Sequence, residues 1–500
     1  MDFGLLNDAF AELIGSGHSH YIFMGVLVGL TFGVIPGLGG TTALALLIPV
    51  TYTMDPVAAM YLAGGSMGAT SFGGSMTAIL LNTPGTPPNA ATTFDGYPLT
   101  RQGKAGLAIG ASATASALGG LIGLISLLLV IPLARSIIYL FGPPEFFLLT
   151  ILCLLAIAVA TLGKLLRGLI AAGFGLIAAF VGMDSVSGEL RYAGDLDYLW
   201  DGIPLVPVLT GMFAISQMLH LALKGGSIVS DANRKTKLSG VLDGIKSVFR
   251  HWTHLLRGSA IGTVIGAIPG LGGVVASFFA YSSAAQTSRD PESFGKGNII
   301  GVIAPESANN AKDGASLLPA VAFGIPGSAE SALLLSILVL HGIEPGPSIL
   351  VESQREIYGL ILAITLSAVG ASIVGLACSR WLMLITYVKV EVLVPVVITV
   401  TLTAVYVLEG KFGDVIVCSI MGVIGYLMIR FDYPRLSFII ALVLGKTMEQ
   451  AFHQSMIISD GDLVSYIAGR PTAVVLIFCI VLTLMLPAIR SYRSVRKKTT

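Results

Sequence analysis

Apolar residues fill most of this 500-residue chain, in long stretches parted by short polar or glycine-rich interruptions. Stretches at 21–52, 105–140, 146–162, 168–183 and 203–223 are followed by a polar segment, and then by others at 258–286, 357–379, 392–408, 412–429, 435–457 and 472–489. Most approach the roughly 20 residues that a helix needs to cross a bilayer, which predicts an all-α polytopic membrane protein. The opening residues 3–16 are amphipathic and either lie on the membrane surface or are disordered. Residues 56–94, rich in Gly, Ala, Ser and Thr, are interrupted by Asn82, Thr83, Pro84, Gly85 and Thr86, the mark of two segments meeting at an irregular tip.

One punctuation of this pattern is written twice. Gly29, Gly33, Pro36, Gly37, Gly39 and Gly40 return as Gly262, Gly266, Pro269, Gly270, Gly272 and Gly273, with the same GxxxGxxPGxGG spacing. Proline lacks the backbone donor and glycine favours other angles, so a helix must break at each copy. In lipid a broken helix persists only where protein or a water-filled cavity satisfies the freed backbone groups, so paired breaks predict a binding site. A polar run, Glu306 to Asp313, and a second tip at Pro326, Gly327 and Ser328 follow the second break, as 56–94 follows the first.

Charge gives the chain an orientation. The segment from Lys224 to Arg257 carries seven Lys or Arg against Asp231 and Asp243, and Arg490 to Lys498 closes the chain with five more; both are expected in the cytoplasm. The acid-rich loop Asp184 to Asp201 is expected outside. Each half then contains an odd number of crossings plus one hairpin, so the fold expected is two inverted-topology repeats, with broken helices and hairpin tips meeting near the membrane midplane. The divisions are a surface segment 1–19, a first repeat 20–224, a basic linker 225–257, an inverted second repeat 258–457, and a last span with a basic tail 458–500. The N-terminus is then expected outside and the C-terminus in the cytoplasm.

Composition agrees with the membrane class: 54% hydrophobic residues, 11% charged, 60 glycines and a mean hydropathy of +0.85. No basic tract of the kind that nucleic-acid binding needs is present. The four cysteines, in apolar stretches without paired spacing, read as core residues.

An isolated GxxxG most often means close helix packing. The duplicated Pro-Gly breaks are more specific, since packing does not require them. Gly37, Gly39, Gly40, Thr41 and Thr42 offer N–H and hydroxyl donors at a helix start, where anions are attracted, and Gly270, Gly272 and Gly273 do so in the second copy. No lysine follows the glycines as a phosphate loop requires. Ser71, Ser75, Asn82, Thr83, Pro84, Gly85, Thr86, Pro326, Gly327 and Ser328 offer groups for carboxylate oxygens or Na+, though each hydroxyl has the alternative of bonding back to its own helix. Glu306, Asn309, Asn310 and Asp313 form a dense polar patch with Lys312, whose expected partner is Asp313 or Glu306; such charges at membrane depth pair or mark a pathway. Arg135, Glu145 and Glu391, near span ends, are expected to anchor at interfaces. His251 and His254 lack further ligands, no cofactor is expected, and nothing resembles a hydrolytic site.

The two GxxxGxxPGxG copies, the LLNTPGT and AFGIPGS tips and the APESANNAKDGA run closely resemble the large membrane subunit of tripartite tricarboxylate transporters, the TctA family, over about 20–490. The resemblance implies a carrier of the bacterial inner membrane. It would work with a small four-helix membrane subunit and a periplasmic solute-binding protein that delivers a carboxylate such as citrate, driven by a cation gradient, typically Na+. The family's motif maps onto Gly29, Gly33, Pro36, Gly37, Gly39, Gly262, Gly266, Pro269, Gly270 and Gly272, without assigning a ligand to each.

Overall fold

The computed structural model describes residues 3–15, 17–138, 140–160, 165–184, 187–224, 239–268, 272–346, 349, 353–379, 381–382 and 390–496. Its helices are α1 (Phe3–Gly15), α2 (Ser19–Val34), α3 (Gly39–Thr51), α4 (Pro56–Leu81), α5 (Ala90–Arg101), α6 (Ala105–Ile138), α7 (Pro143–Ala160), α8 (Leu165–Ala179), α9 (Leu205–Thr210), α10 (Ser216–Lys224) and α11 (Val241–Arg250). They continue as α12 (Trp252–Gly266), α13 (Gly272–Thr287), α14 (Ile300–Phe323), α15 (Ala329–Leu340), α16 (Gln354–Ala377), α17 (Val390–Glu409), α18 (Phe412–Arg430), α19 (Arg435–Ile458), α20 (Leu463–Ala468) and α21 (Pro471–Arg496). Among the described residues, a two-residue antiparallel ribbon, Gly182–Met183 with Leu190–Arg191, is the one departure from helices and their connections. Among the described residues, five helical segments are long and apolar enough to cross a bilayer: Ala105–Ile131, Leu205–Leu223, Gln354–Ala377, Val390–Glu409 and Phe412–Arg430. The chain is an all-α polytopic membrane protein.

It folds as two compact units, one from Met1–Pro132 with Leu209–Tyr426, the other from Leu133–Val208 with Leu427–Thr500. Each draws on both halves of the sequence. In the first unit two helix pairs are built alike. Along α2, Gly25, Gly29 and Gly33 lie against the backbone of Leu62, Ser66 and Thr70 of α4; along α12, Gly258, Gly262 and Gly266 lie against Ala304, Ala308 and Lys312 of α14. A Cβ at any of them would strike that backbone, so the small-residue spacing is what lets the helices approach.

The hairpin tips match in detail. Helix α4 ends on Asn82 (φ 55), whose N–H bonds Thr77 O, and α14 ends on Gly324 (φ 67), whose N–H bonds Pro319 O. The next N–H repeats the pattern, Thr83 to Thr77 O and Ile325 to Pro319 O. Extended residues follow, Thr86 and Ser328, each bonded through its hydroxyl to the side chain three residues on, Asn89 and Ser331. Gly85 packs on Gly33 O, and Gly327 lies 3.3 Å, measured from an added Cβ, from Gly266 O. Asn82 accepts a left-handed backbone because its short polar side chain tolerates it.

Helix α1 is ordered against α16, with Glu12 paired to Arg355 at 2.6 Å, so the opening segment is a helix. Asp95 of α5 is fully buried, accepting from Gly297 N and Asn298 N at 2.8 Å and from the Tyr281 hydroxyl at 2.9 Å.

In the second unit, Gly175 of α8 packs on Phe438 O and Gly445 of α19 on Ala179. Glu145, expected as an interfacial anchor, is instead wholly buried. It accepts from Arg470 at 2.5 Å, Thr472 at 2.7 Å and Gly142 N at 2.9 Å, tying the start of α7 to that of α21. Arg191 forks onto Glu449 at 2.7 and 2.8 Å. The Arg135 side chain lies outside the described residues, and Glu391 is exposed at the start of α17. The cysteines are free.

Candidate functional site

Both breaks sit in the first unit, and each restarts its helix with the same residue in the same conformation: Gly39 begins α3 at φ 64 and Gly272 begins α13 at φ 64. Glycine holds that backbone at no steric cost. At the next position, a Cβ on Gly40 would lie 2.9 Å from a Glu330 carboxylate oxygen. On Gly273 it would lie 2.7 Å from Lys312 Cε and 3.0 Å from Asn309 Oδ1. Lys312 Nζ and Glu330 are 3.2 Å apart. The first turns of both restarted helices therefore border one ion pair, and their free N–H groups give that region positive potential.

Lys312 also meets Asp313 at 2.5 Å. Its second partner is Glu330, not Glu306: six residues of α-helix turn a side chain about 240° from its starting direction, so Glu306 and Lys312 leave α14 on different sides. Asp313 accepts from the Ser71 hydroxyl at 3.5 Å. Glu306 takes neutral donors: Ser75 at 2.5 Å, Ser116 at 3.1 Å, Asn89 at 3.4 Å, and Thr92. Asn89 Nδ2 also bonds Ser75 Oγ at 2.9 Å and Ser71 O at 3.1 Å, so it joins the Glu306 group to the Asp313 group. Glu306, Asn309, Asn310, Lys312 and Asp313 are each 3% exposed or less. Two carboxylates, Asp313 and the half-buried Glu330, thus share one ammonium, while Glu306 is buried among neutral donors, and burying unbalanced charge is costly.

The remaining expected residues divide by position. Ser71 and Ser75 join the buried network, while Thr86 reaches it through Asn89. Thr41 is half-buried, and the Thr42 hydroxyl bonds back to Leu38 O at 2.7 Å. Gly37 (φ 89) faces Gln217 and Leu221 of α10. Asn82 is exposed at its cap, Thr83 bonds Leu81 O at 3.2 Å, and Pro84 is half-buried. Gly85 shapes the first tip through a 3.2 Å bond to Gly74 O. Pro326, Gly327 and Ser328 are buried at the second, where Ser328 accepts from Ser331 N at 3.1 Å. Gly270, with Pro269 and Leu271, lies outside the described residues.

Sequence reasoning missed Glu330, Asn89, Thr92 and Ser116. Glu330 stood two residues past the second tip, an available signal. Thr92 stands beside Thr93, and Ser116 follows Ser112 and Thr114, so nothing singles them out until α14 is placed beside them. Asn309 has both amide atoms unpartnered among the described residues, and Asn310 its Oδ1. A buried amide without partners is unusual in a folded protein. Asn309 therefore supplies a free donor and acceptor beside Gly273, within reach of a ligand that touches Lys312.

Comparison with known proteins finds relatives along most of the chain. An uncharacterized 52.8 kDa protein in the TAR-I ttuC' 3' region of Agrobacterium vitis is 32% identical over 480 residues, covering 95% of this chain and 94% of that protein. A second uncharacterized protein, in the TAR-II ttuC' 3' region of the same organism, is 32% identical over 236 residues, 46% of this chain and 97% of that protein. No solved structure matches. Residues 20–440, which hold both breaks, both tips and the buried polar cluster, match the Tripartite tricarboxylate transporter TctA family, and the chain belongs to that family.

Proposed function

We propose that this large transporter subunit carries a di- or tricarboxylate of the citrate class inward across the bacterial inner membrane, coupled to a cation gradient, with Na+ the favoured ion. The observation that carries the reading is the meeting of two helix starts, Gly40 and Gly273, on the Lys312–Glu330 pair. A carboxylate placed there meets an ammonium, the Asn309 amide and free N–H groups, the donors an anion requires. The surplus of buried carboxylates disfavours a bare anion, and a co-bound cation offsets that repulsion. The matched glycine ladders and tips support two inverted repeats that move against each other to expose the site alternately. The N-terminus is assigned to the periplasm and the C-terminus to the cytoplasm on their content of Lys and Arg. A small four-helix subunit and a periplasmic binding protein are the partners, the latter choosing the substrate.

Uptake of labelled citrate into proteoliposomes holding both membrane subunits, with the binding protein outside, tests this. Uptake should need the binding protein and rise with an inward Na+ gradient. Uptake without the binding protein would make the chain a stand-alone carrier, and uptake indifferent to Na+ would remove the coupling. Chemical turnover of the substrate would point instead to an enzyme.

A further inference from the structure

We propose that a small cavity bordered by Gly68, Gly120, Asn310, Asp313, Gly314 and Thr365 binds a single dehydrated alkali cation of the size of Na+. Four helices meet around it, α4, α6, α14 and α16, and it has room for about one water-sized particle. Three glycines supply the space, Asn310, Asp313 and Thr365 supply oxygen, and Leu317, Ile361, Ile364 and Ala368 complete an otherwise apolar wall.

The hydrogen bonds around Asn310 and Thr365 leave oxygen lone pairs unused. Asn310 is 2% exposed, and its Nδ2 donates to Glu306 O at 3.1 Å, which fixes the amide and leaves Oδ1 unpartnered among the described residues. Thr365 donates its hydroxyl proton to Ile361 O at 2.9 Å, so only lone pairs remain for a ligand. Asp313 contributes a carboxylate, 3% exposed, next to the ion pair with Lys312. Asn310 Oδ1, the Thr365 hydroxyl oxygen and the Asp313 carboxylate offer acceptors, the complement of a cation. Hard neutral oxygens around one carboxylate suit an alkali ion; a divalent ion would bring two charges to a carboxylate already shared with Lys312. Placement beside Asp313 would also reduce the surplus negative charge that faces an incoming carboxylate. This deepens the coupled-carrier reading and rests on it only for what the bound cation does; the site itself stands on the cavity and its oxygens.

Binding of radioactive Na+ to the purified chain in detergent tests the site without transport. The intact protein should bind it saturably, with displacement by unlabelled Na+ and much less by K+. Asn310→Ala and Thr365→Val should each weaken binding about tenfold or more, the effect of losing one ligand worth ~1.4 kcal/mol. Thr365→Ser, which restores the hydroxyl, should recover it, and Thr401→Val, which removes a similar back-bonded hydroxyl elsewhere, should not alter it. Circular dichroism and elution volume identify variants that fail to fold, and the conclusion is then read from the folded variant. Absence of saturable binding to the intact protein, or wild-type affinity in both Asn310→Ala and Thr365→Val, overturns the proposal. Na+-driven uptake that survives such a result would leave the coupled reading standing with its cation elsewhere; Na+ binding here with Na+-indifferent uptake would keep the site and remove the coupling.

Discussion

Helices α4 and α14 carry equivalent positions with opposite chemistry. Set in register by their glycine partners, Thr70 stands where Lys312 stands, since Gly33 packs on the first and Gly266 on the second. Stepping along from there, Ser71 matches Asp313, Gly68 matches Asn310 and Gly64 matches Glu306. One helix has small and hydroxyl residues where the other has charge and amide. The Ser71 hydroxyl bonds Asp313, its own counterpart, and Gly68 and Asn310 border the same cavity. A duplicated frame thus brings equivalent positions together, and unequal side chains fill it: one copy gives room and the other gives ligands. Two fully charged copies would bury twice the charge at a cost of several kcal/mol per ion.

The largest test of this asymmetry is Lys312→Met against Thr70→Val. Removing the ammonium leaves Asp313 and Glu330 without it, a loss of about 3–5 kcal/mol for a broken buried pair, and uptake should vanish. Among the described residues Thr70 donates to Ser66 O at 2.7 Å, within its own helix, so its replacement should cost about 1 kcal/mol and leave uptake in place. Thermal melts and proteoliposome uptake read both; equal effects would break the comparison.

Where the copies are alike, substitutions should act alike. Gly29→Leu and Gly262→Leu each drive a side chain into a facing helix backbone and should cost at least about 1–3 kcal/mol, seen as matching falls in melting temperature. A fall in only one would show that the ladders do not bear equal load. Thr92→Val removes one neutral donor from Glu306 and should cost about 1 kcal/mol, more if the carboxylate is left short of partners, measured by the same melt. A gain in stability would contradict the role given to that donor. The smallest effect expected is that of Ser71→Ala, whose bond to Asp313 is long at 3.5 Å; a change near ~0.5 kcal/mol is predicted, and a loss of 2 kcal/mol or more, well above the usual ~0.5–1.5 for one hydrogen bond, would assign Ser71 a larger part.

The breaks and tips were legible because proline and glycine are constrained by their own covalent structure, and duplication made chance spacing implausible. The polar run 306–313 was legible because charge in an apolar context is conspicuous. Its partners were not. Asn89, Thr92 and Ser116 reach Glu306 from more than 180 residues away in sequence, and a hydroxyl inside a helix gives no sign of whether it bonds its own backbone or a neighbour. Glu145 looked interfacial by position, yet its buried pairing with Arg470 spans 325 residues and shows only once α7 and α21 are packed. The division into two units also follows packing that crosses both halves of the chain, which no local pattern encodes.

The central claim, that both helix starts and the Lys312–Glu330 pair form one anion site, is tested most directly by a cryo-electron microscopy map of the transporter with bound citrate. The account predicts ligand density within hydrogen-bonding distance of Lys312 Nζ and the Asn309 amide, between the first turns of α3 and α13. Citrate density elsewhere, with Gly40 and Gly273 enclosed by protein alone, would contradict it.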